Sequence, residues 1–240
     1  MHHAFKTFII VILIAITLPL NAQKNIESQQ LLWAGYSLKV QINDTYLLRQ
    51  ELEERTYWFP WRQHQFISRT MLDRKLNNGW NTALGFVYLQ QAQPQDPEVK
   101  DFKNSLELRP VAELAYTHDI ISKVTLGHRY WTEFRFFEQS NGDYDFGTIR
   151  ARYKIELRYA PISQLIFKAF EELHVNIGNK VAQNIFDQNR IGISAQYMFL
   201  ENLGFELGYF NWYQQRSTGV DFYDRNIVRF TVHHKLKLKN

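Results

Sequence analysis

Charged and apolar side chains alternate residue by residue from Ile149 to Tyr159, in the stretch IRARYKIELRY. In a helix, charges at every second position would scatter over all faces. In a strand they lie together on one face, and the apolar side chains lie on the other. The segment is therefore predicted to be a two-faced strand. It fits either a soluble sheet with its charges in water or a membrane barrel with its charges inside.

Similar segments recur along the chain and are longer than the 5–6 residues usual in soluble strands. Spans of about 9–11 tilted residues are typical of membrane barrels. Candidate strands are predicted at 34–42, 45–57, 63–76, 80–91, 103–118, 123–137, 145–159, 164–176, 186–199, 203–215 and 226–238. Short connections alternate with longer ones, as in outer-membrane barrels. Bacterial barrels have even strand numbers. We therefore expect twelve strands, with either a weak first strand or a lumen-threading segment in 23–33, and ten strands as the alternative.

The first 22 residues have the features of a secretory signal peptide. Lys6 precedes an apolar run from Phe8 to Leu20, and Ala22 supplies a small residue for cleavage. Cleavage after Ala22 divides the chain into a signal peptide, 1–22, and one barrel domain, 23–240. Localisation in the bacterial outer membrane is expected, with membrane lipid and the barrel-assembly machinery as partners.

Composition separates the membrane and soluble alternatives further. Aromatic residues make up 15% of the chain, yet mean hydropathy is −0.39. Alternating barrel strands combine these properties, because half of their residues face a polar interior. The net charge of +4 does not imply nucleic-acid binding in an exported chain. No cysteine is present, so no disulfide supports the fold. Five tryptophans are expected near the membrane interfaces: Trp33, Trp58, Trp61, Trp80 and Trp131.

Several segments resemble the domain-of-unknown-function family 2490, exported barrels of Gram-negative envelopes. They include ELEER (51–55), ELRPVAELAY (107–116), HRYWTEFRF (128–136), RARYKIELRY (150–159), FDQNRIGISAQYMF (186–199), LGFELGYFNWYQQ (203–215) and DRNIVRFTVHHKL (224–236). The resemblance covers nearly all of the mature chain and implies an outer-membrane barrel. It implies no catalytic residues.

Alternation assigns charges of both signs to the barrel lumen. The predicted lumen network comprises Arg49, Glu51, Glu53, Arg55, Glu107, Arg109, Glu113, Arg129, Glu133, Arg135, Arg150, Arg152, Lys154, Glu156, Arg158, Glu172, Arg190, Glu206 and Arg229, with Arg69 and Lys168 beside them. Charges in a narrow barrel must be paired or hydrated. The first interpretation is a structural or binding barrel stiffened by these pairs, with its protein partner not identified by the sequence. The alternative is a narrow, anion-preferring pore for small solutes, because the 149–159 strand is rich in cations.

A barrel lipid hydrolase is the second alternative. It would need a serine, a histidine and an orienting group near the rim. His118, His128, His174, His233, His234, Ser105 and Ser194 are available. None lies in a nucleophile motif, so we expect no enzyme activity. No cofactor and no metal site are predicted, and the acidic turn at Asn141, Asp143 and Asp145 is expected to be solvated.

Overall fold

The computed structural model describes residues 24–238, so the predicted signal peptide and its cleavage site lie outside the described residues. The described chain forms a closed barrel in which each strand pairs with the next. The strands are β1 (Asn25–Gln41), β2 (Tyr46–Tyr57), β3 (Arg62–Lys75), β4 (Trp80–Gln93), β5 (Lys103–Ile121), β6 (Val124–Glu138), β7 (Tyr144–Ile162), β8 (Leu165–Ile177), β9 (Phe186–Met198), β10 (Leu203–Gln215) and β11 (Asp221–Lys237). Within residues 24–238, no helix is long and apolar enough to cross a membrane.

The described barrel has eleven strands, so the prediction of twelve, and the alternative of ten, are wrong. Consecutive strands pair antiparallel, whereas β1 and β11 pair in parallel from Asn25 opposite Asp221 to Gln41 opposite Lys237. An odd strand number makes the first and last strands run in the same direction. The slanted hydrogen bonds of a parallel pair then close the sheet. Residues 25–33, expected to hold a separate strand or to thread the lumen, form the first half of β1.

The connections divide the barrel into two ends. Tight turns such as 76–79 lie at one end, called the short-turn end. The segments 94–102, 178–185 and 216–220 lie at the other, the long-loop end. The 76–79 turn contains Asn78 at φ 56° and Gly79 at φ 81°. Two successive positive φ values match the twist of a hairpin, and asparagine and glycine adopt them readily.

The outer surface of the barrel is lined with exposed apolar side chains. Leu84, Ile193 and Leu207 are 68%, 63% and 55% exposed. Ile193 lies on the opposite face of β9 from Arg190, and Leu207 lies on the opposite face of β10 from Glu206. The predicted alternation therefore holds for these strands. Such a surface on every side of a barrel suits an apolar surrounding, because a soluble protein rarely exposes large apolar patches.

The lumen also contains buried apolar side chains beside its charges. One buried cluster includes Trp33, Phe210 and Trp212, and a second includes Met71 and Trp131. The interface prediction is therefore wrong for Trp33 and Trp131, which are mid-strand and 2% and 3% exposed. Each occupies an inward position of its strand, where arginine side chains cover its ring.

The other three tryptophans of the interface prediction are exposed and lie at the ends of the barrel. Trp58 and Trp61 lie in the β2–β3 connection at the long-loop end, and Trp80 begins β4 at the short-turn end. All three lie at barrel ends, as the pattern predicted. Exposed indole rings at both ends are typical of a barrel that meets two polar–apolar boundaries.

Candidate functional site

The structure brings the predicted lumen charges together in the barrel interior, where they form several groups of ion pairs. Every one of them except Arg190 takes part in at least one ion pair. Arg69 pairs with Glu51, and Lys168 pairs with Glu206 at 2.7 Å. Strand alternation explains this result, because it places charges of neighbouring strands on the same inner face.

Glu133 on β6 is the centre of the most buried part of the network. Its side chain is 1% exposed and accepts hydrogen bonds from Arg109 (3.2 Å), Arg150 (2.9 Å) and Arg152 (2.7 Å). The indole nitrogen of Trp131 donates to it at 2.9 Å. A carboxylate without solvent needs such donors, because burying an unpaired charge costs several kcal/mol.

Other carboxylates repeat this arrangement along β5 to β10. Glu107 accepts from Arg109 and Arg135, both through the Nε atoms, at 2.7 and 2.5 Å. Glu172 accepts from Arg129 at 2.6 Å and from Arg152 at 2.7 Å. These pairs neutralise much of the lumen charge, and their guanidinium planes bind carboxylates with defined geometry.

Among the residues that the structure describes, Arg190 has no such carboxylate partner. Glu172 lies opposite it in the strand register, but that carboxylate pairs with Arg129 and Arg152. Within residues 24–238, the one side-chain hydrogen bond of Arg190 runs from its Nε to the amide oxygen of Gln188, at 2.9 Å. A neutral amide positions a guanidinium without cancelling its charge. Arg190 is therefore an uncompensated cation in the lumen.

Arg225 is a second cation held by amides, and the sequence reasoning missed it. Its side chain is fully buried and donates to the amide oxygens of Gln29 (2.7 Å), Gln214 (2.6 Å) and Gln95 (2.8 Å). The predicted last strand began at 226, so the alternation was not extended to residue 225. Extending that strand backwards would have found it.

Arginines and aromatic rings alternate from the lumen centre to the long-loop end. The guanidinium carbons lie 3.5–5.6 Å from the ring centroids, distances at which a cation is attracted to the ring face. The successive members are Arg55, Trp33, Arg190, Trp212, Arg225, Tyr223 and Arg216. The rings hold these arginines in place without neutralising them.

Three adjoining cavities follow the lumen. The lower cavity, towards the short-turn end, is about 240 Å³, the middle cavity is about 190 Å³, and the upper cavity, at the long-loop end, is about 580 Å³. The lower and middle cavities share a lining that we call the arginine ring: Arg55, Arg69, Arg152 and Arg190, with Ile67. The middle and upper cavities share the amide ring: Gln93, Gln95 and Gln214, with Arg135 and Arg150.

The segment 94–102, which we call the strap, folds inwards at the long-loop end. Arg62 donates to the backbone oxygens of Pro94, at 2.8 Å, and Asp96. Gln29 on β1 donates to the backbone oxygen of Gln95 at 3.0 Å, although β1 does not adjoin β4. The Gln29 contact crosses the barrel opening, so the strap narrows the upper cavity. The alternation of side chains along the strands did not predict these contacts.

Comparison with known proteins identifies the family. The family described as "Protein of unknown function (DUF2490)" matches residues 30–223. The chain belongs to this family. The predicted family resemblance is thereby confirmed.

The DUF2490 barrel is also similar to a solved porin, and no curated protein matches its sequence. The solved structure is titled "NanC porin structure in rhombohedral crystal form". It is 16% identical and has a TM-score of 0.52, and the match covers 86% of this chain and 99% of that one. At this identity the likeness concerns the fold, which is a porin-like, all-β barrel.

The serines and histidines considered for hydrolysis are not assembled into a site in the DUF2490 barrel. Ser105 donates to the backbone oxygen of Gln91 at 3.3 Å, and Ser194 has no hydrogen-bond partner within residues 24–238. His233 contacts Glu206 at 3.0 Å, and His174 lies 3.2 Å from Glu172. None of these contacts joins a serine to a histidine, so the described geometry offers no activated nucleophile.

The other three histidines considered for hydrolysis, His118, His128 and His234, lie on the outer face. His118 and His128 stack at 5.8 Å, and His234 bonds to the Tyr36 hydroxyl at 2.9 Å. The described residues contain no group of three or more acidic, histidine or cysteine side chains arranged to bind a metal. In the acidic turn, Asn141 donates to Asp143 at 2.7 Å, which is a contact typical of a polar surface turn.

Proposed function

We propose that this DUF2490 protein is an outer-membrane barrel whose lumen conducts small anions. Support for membrane insertion comes from the exposed apolar outer face, the aromatic side chains at both barrel ends and the porin-like fold. Strands of 12–19 residues are also long enough to cross a bilayer with tilt. Lipid and the barrel-assembly machinery are its expected partners.

The arginine ring is the observation that carries the anion preference. Four guanidinium groups line the junction of two cavities, and Arg190 among them has no carboxylate of residues 24–238 within ion-pair distance. Seven arginines and one carboxylate, Glu107, line the middle cavity. A constriction with excess positive charge attracts anions and repels cations.

A structural barrel without transport is the competing function. The Glu133 and Glu172 clusters favour it, because paired charges fill and stiffen a narrow lumen. The three adjoining cavities favour conduction, since a completely filled lumen would have no successive spaces along its axis. Lipid hydrolysis has no support from an assembled nucleophile in the described part of the chain.

Ion flux into proteoliposomes tests the proposal. The mature chain is refolded in detergent, reconstituted, and assayed with chloride-sensitive and potassium-sensitive dyes trapped inside. We expect chloride entry to exceed potassium entry, and Arg190→Gln to reduce that excess severalfold. Lys180→Gln is the matched control, because Lys180 is exposed in the β8–β9 loop and donates to the backbone oxygen of Phe146. A folded, inserted barrel without ion flux would refute the proposal.

A further inference from the structure

The middle cavity of this channel has a chemistry that goes beyond attraction of any anion. It is bounded below by the arginine ring and above by the amide ring, and its lining contains six glutamines. Charge alone does not require amides. Amides donate and accept hydrogen bonds, so they distinguish solutes by their hydroxyl groups.

Two of these glutamines retain unused hydrogen-bonding groups. Within residues 24–238, no side-chain hydrogen bond of Gln93 is found, although neighbouring Gln91 is fully engaged. Gln214 uses its amide oxygen for Arg225, whereas its amide nitrogen has no acceptor in the same range. Both residues line the middle and the upper cavity.

Trp212 provides a separate observation at the same cavity. It is 2% exposed and lines the cavity, and its indole nitrogen has no hydrogen-bond partner among the described residues. Buried donors normally have acceptors. A solute rich in oxygen acceptors would supply them, and its negative charge would be met by Arg190.

The size of the cavity limits such a solute. A volume of about 190 Å³ corresponds to about six water molecules. We propose that the middle cavity is a binding site for small hydroxycarboxylates of about three or four carbons. The carboxylate binds at the arginine ring, and the hydroxyl groups bind at Gln93 and Gln214. This inference rests on the proposed anion channel and names its substrate class.

The test compares glycerate with propanoate, which has the same carbon chain and charge but no hydroxyl groups. Permeability ratios are measured against chloride in planar bilayers from the zero-current potential. We expect glycerate to be favoured over propanoate by about two- to tenfold, the range of one net hydrogen bond. Gln93→Leu and Gln214→Leu should each reduce that preference.

The control is Gln164→Leu, in the exposed short turn between β7 and β8, which should leave the preference unchanged. Anion selectivity with equal permeability to glycerate and propanoate would overturn this inference and leave the channel intact. Absence of anion selectivity would overturn the proposed function itself. If both leucine variants fold, conduct chloride and still favour glycerate, the binding site has been assigned to the wrong residues and is refuted.

Discussion

Replacing Glu133 with glutamine should strongly destabilise the barrel. The side chain is 1% exposed, and it forms ion pairs with three arginines, Arg109, Arg150 and Arg152. The amide keeps the shape of the carboxylate but loses its charge, and its NH₂ group cannot accept from a guanidinium. Removing one partner of a buried ion pair costs about 3–5 kcal/mol, because the remaining charge stays buried. We expect a loss within that range.

The loss can be measured by urea unfolding of the refolded protein in detergent, followed by tryptophan fluorescence. With a slope of about 2 kcal/mol/M, a loss of about 4 kcal/mol lowers the midpoint by about 2 M. Glu138→Gln is the control, since Glu138 ends the same strand, is exposed and forms no ion pair within residues 24–238. Its effect should stay within about 0.5 kcal/mol. Equal midpoints for the two variants would refute the view that Glu133 balances buried cations.

Three further predictions test the outer face, the strap and the strand contacts. Ile193→Arg, in the middle of β9, should destabilise the bilayer-inserted barrel by about 2–4 kcal/mol, whereas Ile185→Arg in a loop should destabilise it by about 0–1 kcal/mol. Equal unfolding midpoints of the two variants in lipid would contradict membrane insertion. Arg225→Met should release the strap and increase single-channel conductance, and unchanged conductance would count against a strap that narrows the opening. Gly192→Ala should lower the free energy of unfolding by about 1–3 kcal/mol, because an added Cβ would lie 2.2 Å from the Phe210 Cβ. In the control Gly127→Ala, the added Cβ would lie 3.7 Å from its nearest neighbour, so thermal unfolding should be unchanged.

Periodicity predicted most of the strands but not how the barrel closes. The alternation at 149–159 identifies a strand wherever that strand lies in the sheet, because its period depends only on local geometry. Closure depends on the pairing of β1 with β11, which are far apart in sequence. The eleven candidate segments correspond to the eleven strands, and the general preference for even numbers led to the wrong count.

Periodicity identified charged lumen residues but not their partners. The alternation gives Arg190 and Arg150 the same prediction, an inward-facing cation on a strand, and does not distinguish them. In the fold, Arg150 pairs with Glu133 and Asp187, whereas Arg190 is held by Gln188. Which carboxylate reaches which arginine depends on the register between strands and on side-chain length. Neither is encoded in the alternation.

The zero-current potential across a bilayer holding the wild-type protein tests the central claim most directly. Under about a tenfold KCl gradient, a perfectly selective channel for one ion gives about 59 mV, with a sign set by the charge of the permeant ion. We predict a potential of the anion-selective sign that shrinks towards zero in Arg190→Gln. A potential of the cation-selective sign, or one that Arg190→Gln leaves unchanged, would contradict an anion path governed by the arginine ring.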